Sequence, residues 1–192
     1  VVLEPLARYD EKGNMLPWLA EEIPTVENGG VSKDLTSITW KIKKGIKWSD
    51  GSALTADDAV FTYEYCTNPD TGCTSTNYYK DIQSVKAIGS NTVKIQFTVP
   101  KPFPYATFVG YNSPILQKAQ FDGCQGAKAQ ECTKQNFYPI GTGPFKVVDF
   151  KPNDVIVFEA NPNYRDPNKP AFSKLVFKGG GDATSAARAV LE

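Results

Sequence analysis

Histidine does not occur in this sequence of 192 residues. Its absence removes Ser-His-Asp and Cys-His nucleophilic machinery and leaves any metal site without its commonest nitrogen ligand. No apolar run approaches the ~20 residues that a membrane-spanning helix needs. Charge of one sign is lacking too, with 21 basic side chains against 21 acidic ones. The densest basic run, Lys41-Lys43-Lys44-Lys47, is interrupted by residues of buried type, and no basic block interleaves with aromatics. That argues against nucleic acid as a partner. The first residues, Val1-Val2-Leu3-Glu4-Pro5, lack the basic start and long apolar core of a secretory signal. They point either to a signal already removed or to a start inside a longer protein.

Cysteine is scarce, four in all, but its placement is informative. Cys66 and Cys73 bracket TNPDTG; Cys124 and Cys132 bracket QGAKAQE. Both intervals are short, polar and rich in small or turn-forming residues. They predict two local disulfides and an oxidising compartment. A zinc site is the rival, disfavoured because neither pair has C-x-x-C spacing and no histidine is available. Four reduced, unrelated thiols are the remaining alternative.

What is present reads as a mixed α+β chain of ordinary globular composition. From Trp40 to Tyr65 runs WKIKKGIKWSDGSALTADDAVFTYEY. Its start alternates like a strand, and a second extended piece ends at Trp48. Ser49-Asp50-Gly51-Ser52 predicts a turn, and Thr55 with Asp58 predicts a capping box opening a helix whose inner face includes Ala59, Val60 and Tyr63. Ile82-x-x-Val85-x-Ala87-Ile88 reads as a strand turned by Gly89-Ser90-Asn91, and Val93, Ile95, Phe97 and Val99 alternate with polar residues after it, the pattern of an antiparallel hairpin. Leu16–Glu22 reads as one helical turn starting at Pro17, and Tyr105–Tyr111 as a buried helical segment. A short helix is expected to end near Asp122-Gly123. Strands are predicted over Lys146–Phe150, Val155–Glu159 and Leu175–Phe177. A glycine bend at Gly179-Gly180-Gly181 then leads to a helix, Ser185–Glu192, cut off in mid-pattern as it would be inside a larger fold.

Few features offer chemistry. Gly141-x-Gly143 precedes a strand, and Pro144 removes an amide, so a tight entry turn explains it better than a phosphate cradle. The Gly179–Thr184 segment lies between a strand and a helix but lacks the Gly-Lys-Ser/Thr ending. The acid pairs Glu21-Glu22 and Asp57-Asp58 point to different sides of a helix, a poor arrangement for acid–base work. No catalytic residue is therefore nominated. Aromatics in loop-like segments remain: Tyr78, Tyr79, Phe103, Tyr105, Tyr111 and Tyr138. The tyrosines' apolar bodies and polar tips suit contact with small ligands, and equally suit half-buried packing.

The wording of several segments resembles the family 5 extracellular solute-binding proteins, the peptide-, dipeptide- and nickel-type receptors of ABC importers. K-x-G-I-K-W-S-D-G-S-x-L-T-A-D-D-A-V-F-T is similar to that family's signature. V-L-E-P-L-A-R-Y-D, D-I-Q-S-V-K-A-I-G-S-N-T-V-K-I-Q-F, I-G-T-G-P-F-K and E-A-N-P-N-Y-R match further elements in the same order. The resemblance implies a two-lobed fold of the type II periplasmic-binding-protein kind, closing like a hinge on its ligand without catalysis or cofactor. On that basis residues 1–135 form an extra domain of the first lobe and 136–192 part of its core, with the second lobe outside the chain. Motif matching makes Tyr78, Tyr79, Tyr111, Asn112 and Ser113 the ligand-facing residues. The implied ligand is a peptide or peptide-like solute. The implied partners are permease subunits, for a monomeric receptor in the periplasm or outside the cell, lipid-anchored in some arrangements. A nickel or metallophore receptor and a secreted hydrolase are the alternatives. Nickel-type members carry Trp and basic residues where this chain has tyrosines, and the two cystine loops are not general to the family.

Overall fold

A computed structural model describes residues 1–179. Its central feature is an antiparallel sheet of β3 (Ser37–Lys41), β4 (Ile82–Ile88) and β5 (Thr92–Phe97), ordered β3-β5-β4. Register follows the alternation in the sequence. Ile38, Ile95 and Val85 line up across the three strands, as do Trp40, Val93 and Ala87, and nearly all of these side chains are buried. The other face carries Thr39, Lys94 and Lys86 to solvent or its margin.

Helix α1 (Ala56–Thr67) packs on β4 and β5. The expected capping box forms: the Asp58 carboxylate accepts the Thr55 amide at 2.9 Å. The buried face differs from the expectation. Ala59, Thr62 and Cys66 face inward, flanked by Phe61 and Tyr65, whereas Val60 and Tyr63 are half-buried. Thr62 tolerates burial because its hydroxyl donates to the Asp58 carbonyl at 2.7 Å and accepts the Leu116 amide at 2.9 Å. A buried hydroxyl so satisfied avoids the desolvation penalty that disfavours polar residues in cores.

Two segments depart from their sequence readings. Leu16 and Pro17 belong to strand β2 (Met15–Pro17), which pairs with β1 (Ala7–Tyr9), and no helical turn starts at Pro17. The turn between the strands is closed by Asp10, whose carboxylate accepts the amides of Lys12 and Asn14 at 2.9 and 2.7 Å. Tyr105–Tyr111 is not helical either. Phe108 sits at φ 61°, outside the right-handed helical region. Its carbonyl accepts the Leu6 amide at 2.8 Å, so this backbone serves β1 rather than itself.

Short helices α2 (Lys118–Phe121) and α3 (Thr133–Phe137) flank the second cystine loop. Both disulfides are present, Cys66–Cys73 and Cys124–Cys132, and no cysteine is free, which overturns the zinc alternative. A second antiparallel sheet follows, a meander of β6 (Phe145–Lys151), β7 (Val155–Ala160) and β8 (Lys174–Lys178). Phe145 and Phe158 make a small core there with Val2 from the chain start. The expected Ser185–Glu192 helix and the glycine bend beyond Gly179 lie outside the described residues.

The G-T-G-P segment has a physical reason. Gly143 donates its amide to the Val2 carbonyl at 2.8 Å. A Cβ at Gly141 would sit on the Val2 carbonyl, and one at Gly143 on the carbonyls of Val1 and Val2. The glycines let two backbones approach closely.

Candidate functional site

Tyr78, Tyr79 and Tyr111 lie where the first cystine loop meets the segment after Pro104, whereas Tyr105 packs on Trp40 and donates to the Pro24 carbonyl at 2.7 Å, and the Tyr138 hydroxyl accepts the Phe150 amide at 3.1 Å. Cys66 near the end of α1 is bonded to Cys73, and the Thr76 hydroxyl donates to the Cys73 carbonyl at 2.6 Å. A 3-10 turn, Thr76–Tyr79, follows directly and sends Tyr78 and Tyr79 to opposite environments. Tyr79 is buried between Tyr63 and Phe108, with ring centroids 6.1 and 5.9 Å away. Burial pushes its phenol up to about 12, and a hydrogen bond with Ser113 opposes the shift. Tyr78 is half-buried at the edge of the core, and its carbonyl accepts the Thr107 hydroxyl at 2.6 Å.

The facing loop is built around Ser113. Its buried hydroxyl accepts the Phe108 amide at 2.9 Å and lies 3.5 Å from the Tyr79 hydroxyl. One residue earlier, the Asn112 side-chain amide donates to the Tyr78 hydroxyl at 2.9 Å, and the Asn112 carbonyl accepts the Ser75 hydroxyl at 2.6 Å. Tyr111 is left projecting, 87% exposed. A non-glycine, bulky residue at positive φ is a rare backbone state that surrounding structure must enforce. Phe108, packed against Tyr79 and held by Ser113, is that enforced point.

All five nominated residues therefore belong to one cluster, in two layers. Tyr79 and Ser113 lie beneath, with their polar atoms directed at each other. Tyr78, Tyr111 and Asn112 form the accessible layer. A cavity of about 80 Å³ opens beside Tyr78, lined also by Lys80, Lys101 and Phe103. Ser75, Thr107 and Phe108 fix this geometry without having been singled out from sequence. Only Gly110, at φ 76°, marks the turn locally, because hydrogen bonds between segments about thirty positions apart leave no sequence period.

A larger hollow, about 410 Å³, lies between α1 and α2, with Trp48, Asp57, Asp58, Gln117, Lys118 and Asp122 on its walls. Burial raises the Asp58 carboxyl above its ordinary value, opposed by the hydrogen bonds it accepts. Those bonds come from the amides of Thr55 and Lys118, both at 2.9 Å, so Asp58 ties the starts of two helices together. The Trp48 indole N–H faces the same carboxylate but falls short of hydrogen-bonding geometry.

A third cluster joins the two sheets. Glu4 is buried, and its carboxylate accepts the Trp18 indole N–H and the Thr142 hydroxyl, both at 2.8 Å, together with both terminal nitrogens of Arg165. Asn163 donates to the Ser49 carbonyl at 3.2 Å alongside it.

Comparison with known proteins accounts for the arrangement of the whole chain. Residues 14–192 match the family described as bacterial extracellular solute-binding proteins, family 5 middle. The oligopeptide-binding protein AppA of Bacillus subtilis is 33% identical over 181 residues, covering 94% of this chain and 32% of the relative. The oligopeptide-binding protein OppA of the same organism is 26% identical, covering 90% and 32%. Among solved structures, AppA from Bacillus subtilis in complex with a nonapeptide superposes with a TM-score of 0.84 at 29% identity, covering 98% of this chain and 36% of that one. NikZ from Campylobacter jejuni, in complex with Ni(L-His), gives 0.84 at 27% identity, covering 100% and 36%. The chain thus spans about a third of the length of the relatives it matches. Its α+β architecture is that of the type II periplasmic-binding-protein fold, and the chain belongs to the family 5 bacterial extracellular solute-binding proteins.

Proposed function

We propose that this chain is the first-lobe portion of a solute receptor serving an ABC importer, and that its ligand is a peptide or peptide-like solute. Residues 1–135 form the lobe's extra domain and residues 136–192 part of its core, with the opposing lobe supplied by the remaining length that relatives possess. The observation that carries the reading is Tyr111: a large aromatic side chain, 87% exposed, on a loop whose backbone is pinned by buried contacts. An apolar ring presented on a rigid support loses little entropy on binding. Tyr78 and Asn112 stand with it as the ligand-facing layer, and Tyr79 and Ser113 act as the buttress beneath.

The mechanism is enclosure without a chemical step. A ligand bridging two lobes shifts the open–closed equilibrium by its differential affinity for the closed form, and the closed form engages the permease outside the cytoplasmic membrane. A single lobe has no closed form. Calorimetry with a mixed peptide library is therefore expected to show binding by the two-lobed receptor and negligible binding by this chain alone. Tyr111→Ala in the receptor should weaken binding by about tenfold or more without lowering Tm. Tight peptide binding by the chain alone, or none by the receptor, would overturn the assignment.

The nickel-type reading is the second one, favoured by the equal TM-score of the Ni(L-His)-bound neighbour. Including Ni(L-His) in the same titrations separates the two.

A further inference from the structure

Positive charge gathers around Trp18 in excess of the acid that accompanies it. The Arg8 guanidinium carbon lies 3.3 Å from the centre of the Trp18 ring, and that of Arg165 lies 4.8 Å away. Lys43 donates its ammonium to the Trp18 carbonyl at 2.9 Å. Against these three cations stands one carboxylate, Glu4, and both its oxygens are occupied by Trp18, Thr142 and Arg165. The next acid along the chain from Arg165, Asp166, pairs with Lys169 at 3.8 Å. Among the described residues Arg8 has no carboxylate partner. Burial, and then the charge of Arg165, hold the Lys43 ammonium below its ordinary value, with Glu4 opposing.

The cluster's place in the fold gives the surplus a use. Ala7 bridges Val109 in parallel register, and its carbonyl accepts the Gly110 amide at 2.9 Å. Arg8 is therefore the next residue along from the contact that anchors the Tyr111–Asn112 loop. Its guanidinium is exposed yet positioned over an indole, which lowers the ordering cost of a bidentate contact.

We propose that Arg8, seated on Trp18 and backed by Lys43, accepts a carboxylate of the bound solute and selects for ligands that carry one. The inference rests on the receptor reading and deepens it. The carboxylate comes from a peptide C-terminus or from an acidic side chain, two sources with the same chemistry.

The test is an NMR titration of the two-lobed receptor, following the Trp18 indole N–H and the Arg8 side-chain N–H. Three probes are used: N-acetyl-trialanine, its C-terminal amide, and N-acetyl-Ala-Asp-Ala-amide. Saturable shifts with the first probe, the third, or both, and none with the amide are expected, and the pattern identifies the source. Arg8→Met preserves contact with the indole but removes the charge, and should weaken binding by about tenfold or more. Lys43→Met, at a residue further from the probe, should weaken it less, and Arg8→Lys should restore part of it. Equal shifts with the amide, no shift with any probe, or unchanged titrations in Arg8→Met would overturn the proposal. The receptor reading is tested apart from this one, by calorimetry of the two-lobed receptor with the mixed peptide library, so the two readings fail separately.

Discussion

Arg165 grips Glu4 with both terminal nitrogens, at 2.6 and 3.2 Å, across a sequence separation of 161 residues. Glu4 is 5% exposed and the Arg165 side chain 18%, so the pair is largely shielded from water. It fastens the chain start to the segment following β7. A buried ion pair adds little relative to apolar side chains of the same shape, but losing one partner strands the other. Arg165→Met should therefore lower unfolding free energy by about 3 kcal/mol. Glu4→Gln should lower it less, since one oxygen remains to accept. Chemical denaturation of both single variants and the double variant gives the coupling, and an additive double variant would refute it.

Gly141→Ala and Gly143→Ala should each cost about 2 kcal/mol or more, because the added methyl meets the carbonyls of Val1 and Val2. The damage should be local at first. Hydrogen exchange is expected to accelerate at Gly143, whose amide bonds to Val2, while the β3-β5-β4 sheet keeps its protection.

Alkaline pH should act through Tyr79. Its phenol is pushed up to about 12 from an ordinary 10.0 by burial. The folded state therefore stays protonated where the unfolded state has begun to ionise. This contribution is fully present below pH 10 and is lost as pH climbs through 12, with a full span of about 3 kcal/mol. Tyr79→Phe should remove that slope while costing about 1 kcal/mol at neutral pH for the lost contact with Ser113. Urea midpoints measured at pH 9 and pH 11 for both proteins test the sign.

Denatured without reductant, the protein should expose no reactive thiol, and with reductant four. Replacing Cys124 and Cys132 together by Ser should cost about 2–3 kcal/mol. Replacing Cys66 and Cys73 should also loosen Thr76–Tyr79, the turn that presents Tyr78, and so reduce affinity in the two-lobed receptor as well as stability.

Much of the fold was legible because short-range physics decides it. The β4–β5 hairpin follows from the alternation of Val93, Ile95 and Phe97 after a polar turn, and the start of α1 from Thr55 and Asp58, three positions apart. The misread stretches are those governed by distant partners. Tyr105–Tyr111 is apolar enough for a buried helix, yet its backbone serves Leu6 and Ser113, and a helix would forfeit both contacts. Thr62 looks like a surface residue until the Leu116 amide, 54 positions on, is placed against it. The candidate site residues were nominated as residue types by resemblance. Its division into an exposed layer and a buried one was not, since Tyr78 and Tyr79 are adjacent and chemically identical. Arg8 gave no signal at all; its meaning depends on where Trp18 and Gly110 come to lie.

The strand-like contact of Val1 and Val2 with residues 143–145 bears on biogenesis. In a chain emerging in order, Val1 and Val2 are made long before Gly143 exists to receive them, and longer still before Arg165 does. The sheet built on Trp40 and Ile95 has its parts available once Phe97 is made, whereas Val1 and Val2 must wait, unpaired, for the segment from Gly143 onward.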